Sequence, residues 1–444
     1  MDMKKGLTRW INLSLAGALC LSLAACSGGE SGSSSGGTDA DGVKQLDVWL
    51  PATAKDGNDA ELWADIVAGW EKENNAKVNF QFISWKDYEA KYTSGISTGT
   101  GPDVGYMYVE MFPTFIDAGA VEELSGYLTE EDYEKYTVLD ERYQIFGKHY
   151  GIATGGMSSA HGLLVNADIL AELGEKMPEN WEDITRIAQK ATRDTDGDGK
   201  IDQYGIAQGW GQTFYQDLNW NWYTFVWQAG GDLFDAETGE CILDQEAGIT
   251  AAQWLYDLKN TYKVLPEDTM SLTNSEAVNN YFYTGKAAMA FVHCGTSTLK
   301  QLEEAGINHE FSISVKGPTG GQGGWSSADQ YTLMSAADDK ELAWSFIKYV
   351  TSGDGAEAVC KMKQGAPCIK GVDYYYGPEE TREIMEKDGP TCARPITAAR
   401  RAPEVYDYLW KALQGMMNGQ STPEETMKDV TQFANSLDYA APAK

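Results

Sequence analysis

From residue 46 onward, apolar and polar positions fall into blocks of two different periods. Leu46-Asp47-Val48-Trp49-Leu50 is a short apolar run and predicts a strand. Trp63, Ile66, Val67 and Trp70 recur at helical spacing. Val78, Phe80 and Phe82 alternate with Asn79 and Gln81, the pattern of a strand buried on one face. A polar helical stretch from Lys86 is broken by Gly99-Thr100-Gly101-Pro102, after which Asp103 to Val109 predicts a third strand. Farther on, Leu163-Leu164-Val165-Asn166 predicts a strand, and Asn180 is placed to cap a helix carrying Trp181, Ile184, Ile187 and Ala191. Strand–helix–strand order of this kind predicts an α/β fold with a parallel sheet covered on both faces. Ligands of such sheets gather at the carboxyl ends of the strands.

The front of the chain has a different pattern. Lys4, Lys5 and Arg9 precede an apolar run from Ile11 to Ala25, which is the layout of an export signal and too short to span a bilayer stably. The run closes on Leu23-Ala24-Ala25-Cys26, which resembles a bacterial lipobox, so cleavage before a lipidated Cys26 is expected. Ser27 to Gly42 is dominated by Gly and Ser and has Ala40 as its one apolar residue. Such a segment behaves as a flexible tether with a reach of roughly 20–24 Å. The expected location is therefore extracytoplasmic, on the cell membrane through the lipid.

Composition narrows the function classes. Even without its first 25 residues, the 444-residue chain is too long for one core and suits two domains. The formal charge of −31 argues against nucleic acid, whose phosphates need clustered Lys and Arg. It favours a neutral ligand, although a local basic pocket would escape this argument. Cys241, Cys294, Cys360, Cys368 and Cys392 show no CxxC spacing and are expected to pack as small buried residues. Nucleophile elbows, zinc-protease helices, phosphate loops and dinucleotide fingerprints are absent from the sequence.

The sharpest short motif is Asp194-Thr195-Asp196-Gly197-Asp198-Gly199-Lys200-Ile201-Asp202. Carboxylates at alternate positions with a Gly at the sixth describe a calcium loop of EF-hand type. Asp194, Asp196, Asp198, the Lys200 carbonyl and Asp202 supply hard oxygens for one structural Ca²⁺. The twelfth position is Gly205, so Gln203 or a carboxylate from elsewhere must complete the shell. The bland alternative is a solvated acidic loop.

The order of segments resembles a known family. Gly101-Pro102-Asp103-Val104 followed by Ala118 to Leu124, then Leu164-Val165-Asn166-Ala167-Asp168-Ile169-Leu170 with Pro178 and Trp181-Glu182-Asp183-Ile184, is similar to extracellular solute-binding protein family 1 of bacterial ABC importers. Trp227 to Asp232, Tyr283 to Met289 and Lys340 to Phe346 continue the match in the family's order. The resemblance implies a two-lobed periplasmic-binding-protein-like fold (type II), with a ligand cleft between the lobes and hinge crossovers. Residues 44–155 plus about 329–355 are expected in the first lobe, and about 156–328 plus 356–444 in the second. It further implies a binding protein and not an enzyme. The implied partners are a neutral oligosaccharide, the permease subunits and the membrane through its lipid, with the chain a monomer.

Candidate ligand contacts combine residue chemistry with that resemblance. Eight of the eighteen residues from Trp210 to Trp227 are aromatic, and sugars stack their C–H faces on such rings. Trp210, Trp220 and Trp222 are candidate platforms, with burial in the core as the alternative; Phe225 and Trp227 read as core. By position in the family, Tyr108 and Glu110 match an aromatic and an acidic contact. The family's later stacking tryptophan is missing at Phe291 to Thr296, which leaves His293 there and makes Trp325 its replacement, with Asp329 as a hydroxyl partner. Two rival readings stand beside this one. A lipid-anchored glycoside hydrolase would need two carboxylates roughly 5–9.5 Å apart. A calcium-stabilised adhesion protein would be expected to carry more than one such loop.

Overall fold

The computed structural model describes residues 38–437, except 40–41, 55–56, 155–158, 212–217, 219–220, 236–237, 328 and 399–400. Its strands in chain order are β1 (Lys44–Pro51), β2 (Ala76–Ile83), β3 (Val104–Met107), β4 (Ile152–Ala153), β5 (His161–Asn166), β6 (Tyr204–Ala207), β7 (Ala287–His293), β8 (His309–Ser312), β9 (Gly324–Trp325), β10 (Gln330–Leu333) and β11 (Ala393–Arg394).

Two principal sheets form. The first has the order β2-β1-β3-β10-β4 and the second β6-β7-β5-β8, while β9 and β11 make a small pair. Local periodicity built the first half of the first sheet as expected. The helix Asp59–Asn74 buries Trp63, Ile66, Val67 and Trp70, and β1 lies parallel to β2 and β3. The helix Tyr88–Thr98 ends at Gly99, whose φ of 69° lies in the left-handed region that glycine adopts without strain. One expectation needs correction: the sheet is mixed, because β10 runs antiparallel to both β3 and β4. The third strand is also shorter than expected, since Val109–Met111 turns into a 3₁₀ helix.

In the second sheet β5 lies antiparallel to β7 and β8, and β6 parallel to β7. Asn180 caps the helix Trp181–Ala191 by accepting the Asp183 N–H at 2.9 Å. That helix buries the predicted Trp181, Ile184, Ile187 and Ala191. The C-terminal helices Ala402–Met417 and Pro423–Ser436 pack on the helix Glu246–Asn260 of the same half.

The chain passes between the sheets after β4 and again before β10. These passages are tied together where the Thr154 N–H reaches the Asp329 carbonyl at 2.9 Å and the Ser326 hydroxyl reaches the Ser159 carbonyl at 2.6 Å. A third passage lies later than the sequence suggested. The helix Asp354–Lys363, expected in the second lobe from residue 356, packs instead on Asp59–Asn74 and Lys340–Ser352. The Lys370 N–H still bonds the Lys135 carbonyl at 2.8 Å. The chain reaches the second sheet's side at the helix Glu379–Lys387, where Glu380 meets His309 at 3.1 Å. Among the described residues Cys241, Cys294, Cys360, Cys368 and Cys392 are buried thiols outside any disulfide.

Candidate functional site

The passages between the sheets gather a polar and aromatic cluster. His161 opens β5, His293 closes β7 directly opposite it in register, and Trp325 lies in β9. The two imidazoles are 5.0 Å apart between centroids, and the Trp325 ring is 5.4 Å from His161 and 5.9 Å from His293. The Ser159 hydroxyl sits 3.2 Å from His293 Nε2. Burial pushes the His293 pKa down to about 4 and that of His161 well below the ordinary histidine range. Both rings are therefore neutral at physiological pH.

A second cluster joins this one to the first sheet. Tyr106 of β3 donates its hydroxyl to Asp329 Oδ2 at 3.2 Å and accepts from Lys363 Nζ at 3.3 Å. The Ser327 hydroxyl holds the other Asp329 oxygen at 2.7 Å. The Lys363 ammonium lies over the rings of Tyr106 and Tyr331, 4.4 and 5.3 Å from their centroids. Lys363 keeps accessible surface although protein surrounds it, as the wall of a concavity does; the crowding pushes its pKa down to about 8, opposed by the Asp329 carboxylate. Burial raises the Asp329 carboxyl in turn, against the Ser327 hydrogen bond and the Lys363 charge.

Concave space lies on both sides of Lys363. One concavity, of about 370 Å³, belongs to the first sheet's side and includes Thr53, Asp59, Trp63, Tyr106 and Tyr331. The other, of about 730 Å³, is lined by Ser159, His293, the Gly295–Thr298 turn, Gln364 and Tyr375. Both volumes lie within the range of small-molecule sites.

The candidate residues are thus only partly brought together. His293 and Trp325 meet at the passages, and Asp329 lies beside them with Tyr106 and Lys363. Tyr108 and Glu110 stand apart on the turn after β3. The Tyr108 hydroxyl donates to Glu89 at 3.2 Å. Glu110 is buried near Tyr406, whose phenol is pushed well above its usual range, first by burial and then by the Glu110 charge. Trp210 and Trp222 correct the expectation of open platforms. Trp210 is 1% exposed with a face covered by Trp410, stacked at 5.2 Å and 19°. Trp222 has no exposed surface. A ring with no free face cannot stack on a sugar. Trp220 and Cys26 lie outside the described residues.

A model of the bacterial extracellular solute-binding protein family matches residues 54–357. The chain belongs to that family. A galactooligosaccharide-binding protein of Bacillus subtilis is 22% identical over 437 residues, covering 95% of each chain. An arabinooligosaccharide-binding protein of Halalkalibacterium halodurans is 24% identical over 339 residues, 72% of this chain and 70% of that one. Among solved structures, the maltose/maltodextrin-binding domain of Bdellovibrio bacteriovorus bound to maltotriose superposes with a TM-score of 0.67 at 20% identity, over 88% of this chain and 99% of that one. The fold is the two-lobed one of these binding proteins, each principal sheet centring a lobe.

In this solute-binding protein the aspartate loop lies in the second lobe, between the helix Trp181–Ala191 and β6. Side-chain oxygens of Asp194, Asp196 and Asp202 lie within 4.8 Å of one another. Asp194 accepts the N–H groups of Gly197 and Gly199 at 2.6 and 2.7 Å, which holds its carboxyl below the usual range. Asp198 falls outside that group and accepts the Lys200 N–H at 2.8 Å. Gln203 is buried and donates its amide to the Ala191 carbonyl at 2.9 Å. Gly205 sits inside β6, and a side chain there would strike Ala188. Three close carboxylates make a hard-oxygen set of the kind Ca²⁺ takes.

Sequence reasoning missed Lys363, Tyr106 and Ser159. Nothing local marks Lys363, since a lysine at a helix end reads as solvated. The hydroxyl-rich Gly295-Thr296-Ser297-Thr298 run after β7 was the one legible signal, a polar turn at the carboxyl end of a strand.

Proposed function

We propose that this protein captures an oligosaccharide outside the cytoplasm and hands it intact to the permease of an ABC importer. The observation that carries the reading is the family match over residues 54–357, which covers the second sheet, the first sheet apart from β1, and Tyr106, Ser159, His293, Trp325 and Asp329, with Lys363 just beyond it. The oligosaccharides named for the Bacillus and Halalkalibacterium relatives support a sugar ligand. Trp325, His293 and Asp329 are the residues assigned to the ligand, with Tyr106, Ser159 and Lys363 added from the geometry. Lobes joined by a few narrow passages close by hinge bending, and a permease can then select the closed form. The lipid at Cys26 and the tether behind it would keep the protein at the membrane, and one Ca²⁺ on Asp194, Asp196 and Asp202 would stiffen the second lobe.

A glycan-library thermal-shift screen tests the proposal. A ligand at 100 times its dissociation constant adds about 2.7 kcal/mol of stability. The best-bound glycan, incubated at length and weighed by mass spectrometry, should come back unchanged. Shortened products abolished by Asp329→Asn would instead favour the hydrolase reading.

A further inference from the structure

The chain carries 66 acidic residues against 35 Lys and Arg. The 730 Å³ concavity departs from that balance. Among the described residues its lining includes Lys300 and Lys363 and neither Asp nor Glu. The two lysines come from different halves: Lys363 ends a helix packed on the first lobe, and Lys300 lies on the helix Thr296–Ala305 of the second. That second helix opens onto the concavity through Gly295, with no side chain capping it and no acidic residue in its first turn. Its first N–H groups have no acceptor within the helix and add a partial positive charge to the same wall. Ser159 and Thr296 to Thr298 add hydroxyls, and the neutral His293 adds no charge.

Carboxylates do stand near this wall: Glu379 and Glu380 neighbour the lining residues Pro378 and Thr381, and Glu380 is engaged by His309 at 3.1 Å. Lys300 faces Glu304 one turn along its own helix at 3.8 Å, where both are exposed. Lys363 faces Asp329, whose oxygens are already held by Ser327 and Tyr106. Among the described residues the ammonium's one hydrogen bond goes to Tyr106, and it has three N–H groups to give.

We infer that the oligosaccharide carries an acidic group, a uronate carboxylate or a sulfate ester, held between Lys363 and the opening turn of the helix Thr296–Ala305. The inference rests on the sugar-capture reading and replaces the neutral ligand that net charge alone suggested. A carboxylate or sulfate would accept from Lys363 and the turn N–H groups, while the other hydroxyls would use Ser159, Thr296 and Gln364.

The test is calorimetry at 50 and 300 mM NaCl with two panels. The acidic panel holds oligogalacturonides of two to four units, and chondroitin and heparin disaccharides with and without sulfate. The neutral panel holds galacto-, arabino- and maltooligosaccharides. An acidic glycan should bind at least tenfold tighter than any neutral one and weaken at the higher salt; the uronate and sulfate arms then tell which group is read. Lys363→Met should cost that glycan tenfold or more, and Lys300→Gln several-fold, with the melting temperature kept within a few degrees. Neutral glycans binding as tightly as acidic ones would overturn the inference and leave sugar capture standing. So would acidic binding that both variants leave within threefold. Binding of neither panel would remove sugar capture, and the inference with it.

Discussion

Replacing Trp210 by Ala separates a core tryptophan from a ligand platform. The ring is 1% exposed, stacks on Trp410 of the helix Ala402–Met417, and its backbone is fixed from both sides. The Trp210 N–H bonds the Thr269 carbonyl at 2.7 Å, and the Trp210 carbonyl accepts the Gln414 amide at 2.7 Å. Truncation leaves a cavity that this pinned backbone cannot close, so the cost should fall at about 3–5 kcal/mol. Part of it, about 0.5–1.5 kcal/mol, is the ring pair itself and should appear as coupling in a double-mutant cycle with Trp410→Ala. At about 2–4 °C per kcal/mol for a unit of this size, the second lobe should melt roughly 6–20 °C lower. Trp210→Phe should lose far less, because it keeps a stacked ring and removes an indole N–H that has no acceptor. Circular dichroism melts and glycan calorimetry on the same samples provide the assay. A melting temperature within 2 °C of the parent, together with a tenfold loss of glycan affinity, would refute the core assignment.

Three further outcomes are expected. Chelator-treated protein should bind one Ca²⁺ by calorimetry and melt higher with it, and Asp196→Ala should abolish this while leaving glycan affinity alone; no binding would remove the calcium site. Cys26→Ser should release the protein from the membrane fraction or leave it unprocessed, and unchanged, processed membrane association would exclude the lipid anchor. His293 takes its proton near pH 6.5 when unfolded and at about 4 when folded, so its contribution is complete above pH 6.5 and lost as pH falls. Between pH 7 and 5 that loss is at most about 2 kcal/mol, and His293→Asn should flatten the pH dependence of melting by up to that amount; identical profiles would contradict the neutral, half-buried ring.

Much of the molecule was legible because it is local. Trp63, Ile66, Val67 and Trp70 can face one core only if residues 59–74 are helical, and the buried set is the one their spacing named. Asn180 needs only its own helix to serve as a cap, and the aspartates at 194, 196 and 202 converge because the turn between them is short. Order of segments added the family and with it the two lobes.

Tertiary structure decided the rest. Direction in the first sheet was one such matter: β10 returns from the other lobe and enters antiparallel, which no periodicity within residues 330–333 can encode. The aromatic stretch was another. A sugar and a protein core ask the same thing of a tryptophan, a flat apolar face, and only Trp410, two hundred residues away, takes that face of Trp210. Lys363 is the reverse case. In sequence it is a charge at a helix end; in the fold it keeps exposed surface, yet Tyr106, Tyr331 and Asp329 gather around it and it lines both concavities, so a solvated lysine becomes a charge on the wall of the site.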